Sequence, residues 1–129
     1  MSKNVLTVDD SPSMRQIIKS CLTREGYIVS EAENGEAALE KVKHATHFDL
    51  LIVDVNMPVM DGISFVREAR KLTGLRNVPI VMLTTESGLE KKAEGQAAGA
   101  TGWITKPFEP QQFVRLIQRL TGERLANIA

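Results

Sequence analysis

Cysteine is nearly absent from this sequence, with one residue, Cys21, among 129. A lone cysteine excludes an internal disulfide framework and cannot by itself build a thiolate-rich zinc site. A surplus of charge is also missing, because 16 Lys and Arg balance 16 Asp and Glu. No broad field therefore favours a nucleic-acid backbone or an anionic membrane as partner. Long hydrophobic runs are lacking too: MSKNVLTVDD opens without a continuous apolar stretch, and no segment approaches a membrane span. A soluble, cytosolic protein is expected. There are no repeats, linkers or low-complexity segments. With 129 residues and 43% apolar content the chain fills one sizeable core but not two, so residues 1–129 read as a single domain.

What is present is an alternation of two periodicities. VLTV (Val5 to Val8), YIV (Tyr27 to Val29), LLIV (Leu50 to Val53), PIVML (Pro79 to Leu83) and GWIT (Gly102 to Thr105) are short, apolar and often β-branched, as strands covered on both faces should be. Helical patterns lie between them. The first has Ser11 as cap, Pro12 in its first turn, an inward stripe of Met14, Ile17, Ile18, Cys21 and Leu22, and a stop at Gly26. In that stripe Cys21 reads as an inert core thiol. The second runs from about Asn34 to Lys43 with Ala38, Leu39 and Val42 inward. The third carries Phe65, Val66, Ala69 and Leu72, and the last carries Phe113, Leu116, Ile117 and Leu120 behind Pro110. Ser87 to Ala100 is a weaker helix, since its inward face offers little beyond Leu89 and alanines, and Gly95 costs about 1 kcal/mol relative to alanine. Five strand-helix units in alternation give a doubly wound α/β domain with a parallel sheet and helices on both faces.

In such folds the functional crevice lies beyond the carboxyl ends of the strands, where strand order reverses. Asp9 and Asp10 follow the first strand, Asp54 ends the third, Thr84 ends the fourth and Lys106 follows the fifth, so all are expected on one edge of the sheet. Three carboxylates brought together repel one another and drift toward protonation unless a cation sits among them. The donors are all hard oxygens, which suits Mg²⁺.

These residues resemble a known family. The Asp9-Asp10 pair, DVNMPVMDG from Asp54 to Gly62, LTT from Leu83 to Thr85 and TKPF from Thr105 to Phe108 are similar to the receiver domain of two-component response regulators, in order and from Val5 to Leu120. Within it the likeness is to the single-domain chemotaxis type. The resemblance implies the flavodoxin-like strand order 2-1-3-4-5 with five helices. It also implies that Asp54 is the nucleophile, phosphorylated by a histidine kinase. Asp10 and Asp54 would bind Mg²⁺ directly, Asp9 directly or through water, and Asn56 through its backbone carbonyl. Lys106 and Thr84 would hold phosphoryl oxygens, and the Lys106-Pro107 peptide would be cis. Thr84 and Trp103 would relay the change to an output face on the fourth helix, fifth strand and fifth helix. Asn56 and Glu86 would tune hydrolysis, which resets the switch. The implied partners are the kinase and a protein target such as the flagellar motor switch, met by a monomer.

Two residues depart from the family's pattern. Thr85 follows the switch threonine where a very small residue is common, and Trp103 stands where tyrosine or phenylalanine is more frequent. Trp103 is read either as the switch aromatic or as plain packing. Asp61-Gly62 reads as a turn and helix start rather than a metal ligand. His44 and His47 are expected to face solvent, and Lys91, Lys92, Arg115 and Arg119 to form a solvated face. A phosphorelay intermediate is an alternative within the family. A Mg²⁺-dependent phosphohydrolase with an aspartyl nucleophile is a rival from another class, but such enzymes need an aspartate as general acid two residues after the nucleophile, where this chain has Asn56. A flavin domain of the same fold would need a Ser/Thr/Gly-rich phosphate loop where Asp9 and Asp10 stand.

Overall fold

Five parallel strands, β1 (Asn4–Val8), β2 (Ile28–Ala32), β3 (Leu50–Asp54), β4 (Ile80–Thr84) and β5 (Gly102–Thr105), form one sheet in the order β2-β1-β3-β4-β5. Between and after them come α1 (Pro12–Arg24), α2 (Gly35–His44), α3 (Gly62–Ala69), α4 (Leu89–Ala98) and α5 (Pro110–Thr121). The computed structural model describes residues 2–44, 47–85 and 89–122. The order is the one the family resemblance implies.

Strand periodicity divides the core into two layers. Leu6, Val8, Leu51, Val53, Ile80 and Met82 point to one face, where Ala38 of α2, Phe65, Val66 and Ala69 of α3 and Ala98 of α4 meet them. Val5, Leu50, Ile52, Val81 and Leu83 point to the other, against Ile18 and Leu22 of α1 and Phe113 and Ile117 of α5. Every residue of β3 and β4 is buried, as expected of central strands. The edge strands differ from the expectation of two covered faces: β2 and β5 are largely half-buried, and Ile28 is 53% exposed. Strand β2 also starts one residue later than YIV suggested and runs on through the polar SEA, since an edge needs fewer apolar residues. Tyr27 instead sits in the α1/α5 layer, its hydroxyl 2.8 Å from that of Thr121.

The helix starts obey local chemistry. Ser11 Oγ accepts from Met14 N, Asn34 Oδ1 from Ala37 N, Asp61 Oδ1 from Ser64 N and Glu109 Oε2 from Gln111 N. Helix α1 ends ahead of Gly26, which takes a left-handed φ of 93°. One member of its expected stripe is misplaced, as Ile17 is 46% exposed. At 3.6 residues per turn Ile17 lies roughly 120° around the helix from the midpoint of buried Ile18 and Leu22, outside the strip a flat sheet can cover. Cys21, at the margin of that strip, is half-buried. Helix α3 stops at Ala69, so Leu72 packs on the core from the following turn. A short 3₁₀ turn, Thr73–Leu75, then buries Leu75, a feature TGL did not signal. Among the described residues no helix is long and apolar enough to cross a membrane.

Candidate functional site

The strand register assembles the site. Val8 pairs with Val53, Asp54 with Leu83, and Thr84 with Thr105, so the residues at and just past these positions lie side by side at the carboxyl edge. One carboxylate oxygen from each of Asp9, Asp10 and Asp54 falls within 4.8 Å of the others. Asp9, Asp54 and Thr84 are buried, whereas Asp10 is exposed at the mouth.

Lys106 reaches between the two buried acids. Its Nζ lies 3.1 Å from Asp9 Oδ2 and 3.3 Å from Asp54 Oδ1, and the Lys106-Pro107 peptide is cis. Burial and the neighbouring Asp9 carboxylate push the Asp54 carboxyl up to about 6, with Asp10 adding to the rise and Lys106 opposing it. Burial pulls Lys106 down, but the Asp54 and Asp9 carboxylates outweigh it and leave the ammonium above its usual value. Lys106 is therefore a firm cation, and the pocket still holds more negative charge than it neutralises. An all-oxygen trio with that residual charge fits a hard divalent cation such as Mg²⁺. Asn56 is exposed beside Asp54.

Three residues contribute to this site in ways their sequence signals did not indicate. The Ser11 amide donates to Asp9 Oδ1 at 2.9 Å, so both Asp9 oxygens are tethered. Arg15, on α1, donates from Nη1 to the Asp9 carbonyl at 2.6 Å while its Nε pairs with Glu31 at 3.1 Å. Gly62 packs on the Asp54 backbone, where a Cβ would stand 2.0 Å from the carbonyl oxygen. The Asp61-Gly62 turn thus has a second purpose beyond starting α3. A pattern of an acid with a glycine eight residues on would need a three-dimensional template to be noticed.

The remaining sequence candidates lie around this centre. Trp103, on β5 in register with Met82, is half-buried and packs toward α4. Thr85 is exposed, and Glu86 lies outside the described residues. His44 and His47 are exposed, paired with Glu40 and Asp49 at 3.2 and 2.7 Å. Arg115 and Arg119 are exposed as expected, but Lys91 and Lys92 are half-buried, so the basic face is narrower than the sequence suggested. Lys92 instead borders a small recess of about 60 Å³ with Gln96 and Trp103.

Comparison with known proteins agrees with this geometry. The family model of the response regulator receiver domain matches residues 5–118. The chemotaxis protein CheY1 of Helicobacter pylori is 40% identical over 119 residues, covering 92% of this chain and 96% of that protein. The solved structure of the chemotaxis response regulator CheY4 of Vibrio cholerae is 47% identical with a TM-score of 0.88, over 93% of this chain and 99% of that one. The receiver domain of a sensor histidine kinase from Pseudomonas aeruginosa, with a magnesium ion coordinated in its active-site cleft, is 30% identical with a TM-score of 0.87, over 95% and 99% of the two chains. Receiver domains are phosphorylation-dependent signalling switches that bind Mg²⁺ at an acidic pocket. With the match spanning nearly the whole sheet and the acids in place at its carboxyl edge, this chain belongs to the response regulator receiver domain family, among the CheY-like members.

Proposed function

We propose that this chain is a single-domain chemotaxis switch, cytoplasmic and monomeric, that accepts a phosphoryl group on Asp54. The observation that carries this reading is Lys106 bridging Asp9 and Asp54 beside an exposed Asp10. The donor is the phosphohistidine of a histidine kinase: its P–N bond breaks as a carboxylate oxygen of Asp54 forms the new P–O bond. Asp9, Asp10, Asp54 and the Asn56 carbonyl would hold Mg²⁺, which supplies positive charge for the phosphoryl oxygens when bound. Lys106, already charged and oriented on Asp54, adds a second cation without reorganisation. Thr84, buried at the end of β4, offers its hydroxyl to a phosphoryl oxygen. Asp9 is held by Ser11 N–H and Lys106, so its carboxylate keeps its position through the transfer.

Phosphorylation converts Asp54 into a group with nearly two negative charges and three acceptor oxygens. Thr84 and Trp103 relay this to the face formed by α4, β5 and α5, where a target such as the flagellar motor switch binds. Attack by water, tuned at Asn56 and Glu86, releases inorganic phosphate and returns the carboxylate. Chemotaxis relatives at about 40% identity support the cellular role.

The test is intact-mass measurement after incubation with acetyl phosphate and Mg²⁺. Wild type should gain one Mg²⁺-dependent phosphoryl group and Asp54→Ala none; equal labelling of the two would remove Asp54 from its role. The emission of Trp103 should change on phosphorylation. An unchanged spectrum at full modification would leave Trp103 as packing.

A further inference from the structure

Gly95 lies inside α4, where glycine weakens a helix, and it is buried. A Cβ built on it would stand 2.9 Å from Cζ3 and 3.5 Å from Cε3 of Trp103, and 3.7 Å from Cγ of Met82. The first distance is closer than side chains tolerate, so the six-membered edge of the indole occupies the space that any other residue at this position would fill. The seat holds the ring against the layer formed with α4, yet it is imperfect. Trp103 Nε1 is buried there with no hydrogen-bond partner among the described residues, and an unmade bond opposes the gain from apolar burial. Trp103 also borders a wider groove of about 340 Å³ with Phe108, Gln112 and Leu116. The ring thus has a second place to go.

We propose that Gly95 is the positioning residue for Trp103: its missing side chain opens a recess in α4 that seats the indole in the unphosphorylated protein. Helix α4 and the ring compete for the same space. An approach of α4 toward β5 expels the indole, and departure of the indole lets α4 settle, which couples the helix with the weakest inward face to the aromatic beside it. The consequence for signalling rests on Trp103 being the switch aromatic; the seating itself does not. A glycine whose local effect is to weaken α4 is, on this account, what allows tryptophan to stand where tyrosine or phenylalanine is more common.

The experiment uses the unphosphorylated full chain, whose sole tryptophan is Trp103. Gly95→Ala is expected to shift emission to longer wavelength and raise the acrylamide quenching constant about twofold, as a half-buried indole becomes solvated. Ala93→Gly, at an exposed position of α4, weakens the helix without touching the seat and is expected to leave both readings unchanged. A thermal cycle gives an independent reading. Gly95→Ala should lower the melting temperature beside Trp103 and raise it in a Trp103→Leu background, where the gain in helix propensity is no longer opposed. Folding of Gly95→Ala only in the Leu background supports the proposal equally. A folded Gly95→Ala with wild-type emission and quenching overturns it. So does an equal melting shift in both backgrounds, failure to fold in both, or an Ala93→Gly spectrum as altered as that of Gly95→Ala. Loss of the phosphorylation response of Trp103 would sink the switch assignment and leave these seating results standing.

Discussion

A Cβ on Gly62 would stand 2.0 Å from the carbonyl oxygen of Asp54 and 3.0 Å from the Cα of Val55, while the Gly62 amide donates to the Val55 carbonyl at 2.9 Å. The first residue of α3 is therefore pressed against the backbone that carries Asp54. Gly62→Ala has nowhere to relax, because its neighbours are main-chain atoms of a buried strand end. It is expected to cost about 2–4 kcal/mol in urea unfolding. Phosphoryl incorporation from acetyl phosphate should fall even where the variant is fully folded, since Asp54 must shift. A folded variant that labels at the wild-type rate would contradict this.

The raised carboxyl of Asp54 makes stability depend on pH. Its ordinary value of 3.8 rises to about 6 in the fold. Between those values the folded state keeps a proton that the unfolded chain has released. The stabilising contribution is thus complete below about 3.8 and lost as pH rises through 6. Asp54→Asn, neutral throughout, is expected to exceed wild type by about 2–3 kcal/mol above pH 6 and to match it near pH 4 in metal-free buffer. Added Mg²⁺ should narrow the gap at neutral pH by favouring the ionised carboxylate. Denaturant melts across this range provide the check.

Lys106 is the cation that makes two adjacent buried acids tolerable. Lys106→Met leaves Asp9 and Asp54 facing each other without it, at a cost of about 2–3 kcal/mol near neutral pH. Mg²⁺ should then stabilise this variant more than it stabilises wild type, because the metal replaces the missing charge. The rate of phosphoryl incorporation should drop about tenfold or more. Thermal shifts with and without Mg²⁺ separate the two effects.

Arg70 clamps the far end of α4. Its Nε and Nη2 donate to the Gly99 carbonyl at 3.0 and 2.8 Å, and its Nη1 to the carbonyls of Val78, at 2.7 Å, and Leu75. Arg70→Ala strands several carbonyls at once and should cost about 2–4 kcal/mol. Arg70→Lys should recover less than half of that, since an ammonium cannot fork between the two sites. Amide exchange at the carboxyl end of α4 should rise in both variants.

Thr7 is fully buried in β1, and its hydroxyl has no partner among the described residues. Valine has the same shape without the polar atom. Thr7→Val is expected to stabilise the protein by about 1 kcal/mol. An equal loss instead would mean that the hydroxyl is satisfied in solution.

Local rules carried much of the reading. Ser11, Asn34 and Asp61 cap helices because short polar side chains at those positions have amides waiting within reach. LLIV and PIVML mark the central strands because only fully covered strands need continuous apolar residues. The edge strands were harder: SEA in β2 reads as loop until β1 is known to lie on one side and solvent on the other. Ile17 misled for a related reason, since periodicity reports which residues share a helix face but not how wide a strip the sheet covers.

The sequence by itself determined the fold class and the chemistry on offer: alternating periodicities, three acids and a lysine at strand ends, and motifs that match one family. These follow from neighbours within a few residues. Only the tertiary structure decided how that chemistry is balanced. The proximity of Lys106 to both Asp9 and Asp54, the raised Asp54 carboxyl, Arg15 behind Asp9, Gly62 against Asp54 and Gly95 beneath Trp103 each join residues from different elements. Charge, burial and close packing depend on distance in space, and the sheet register, not the chain order, sets that distance.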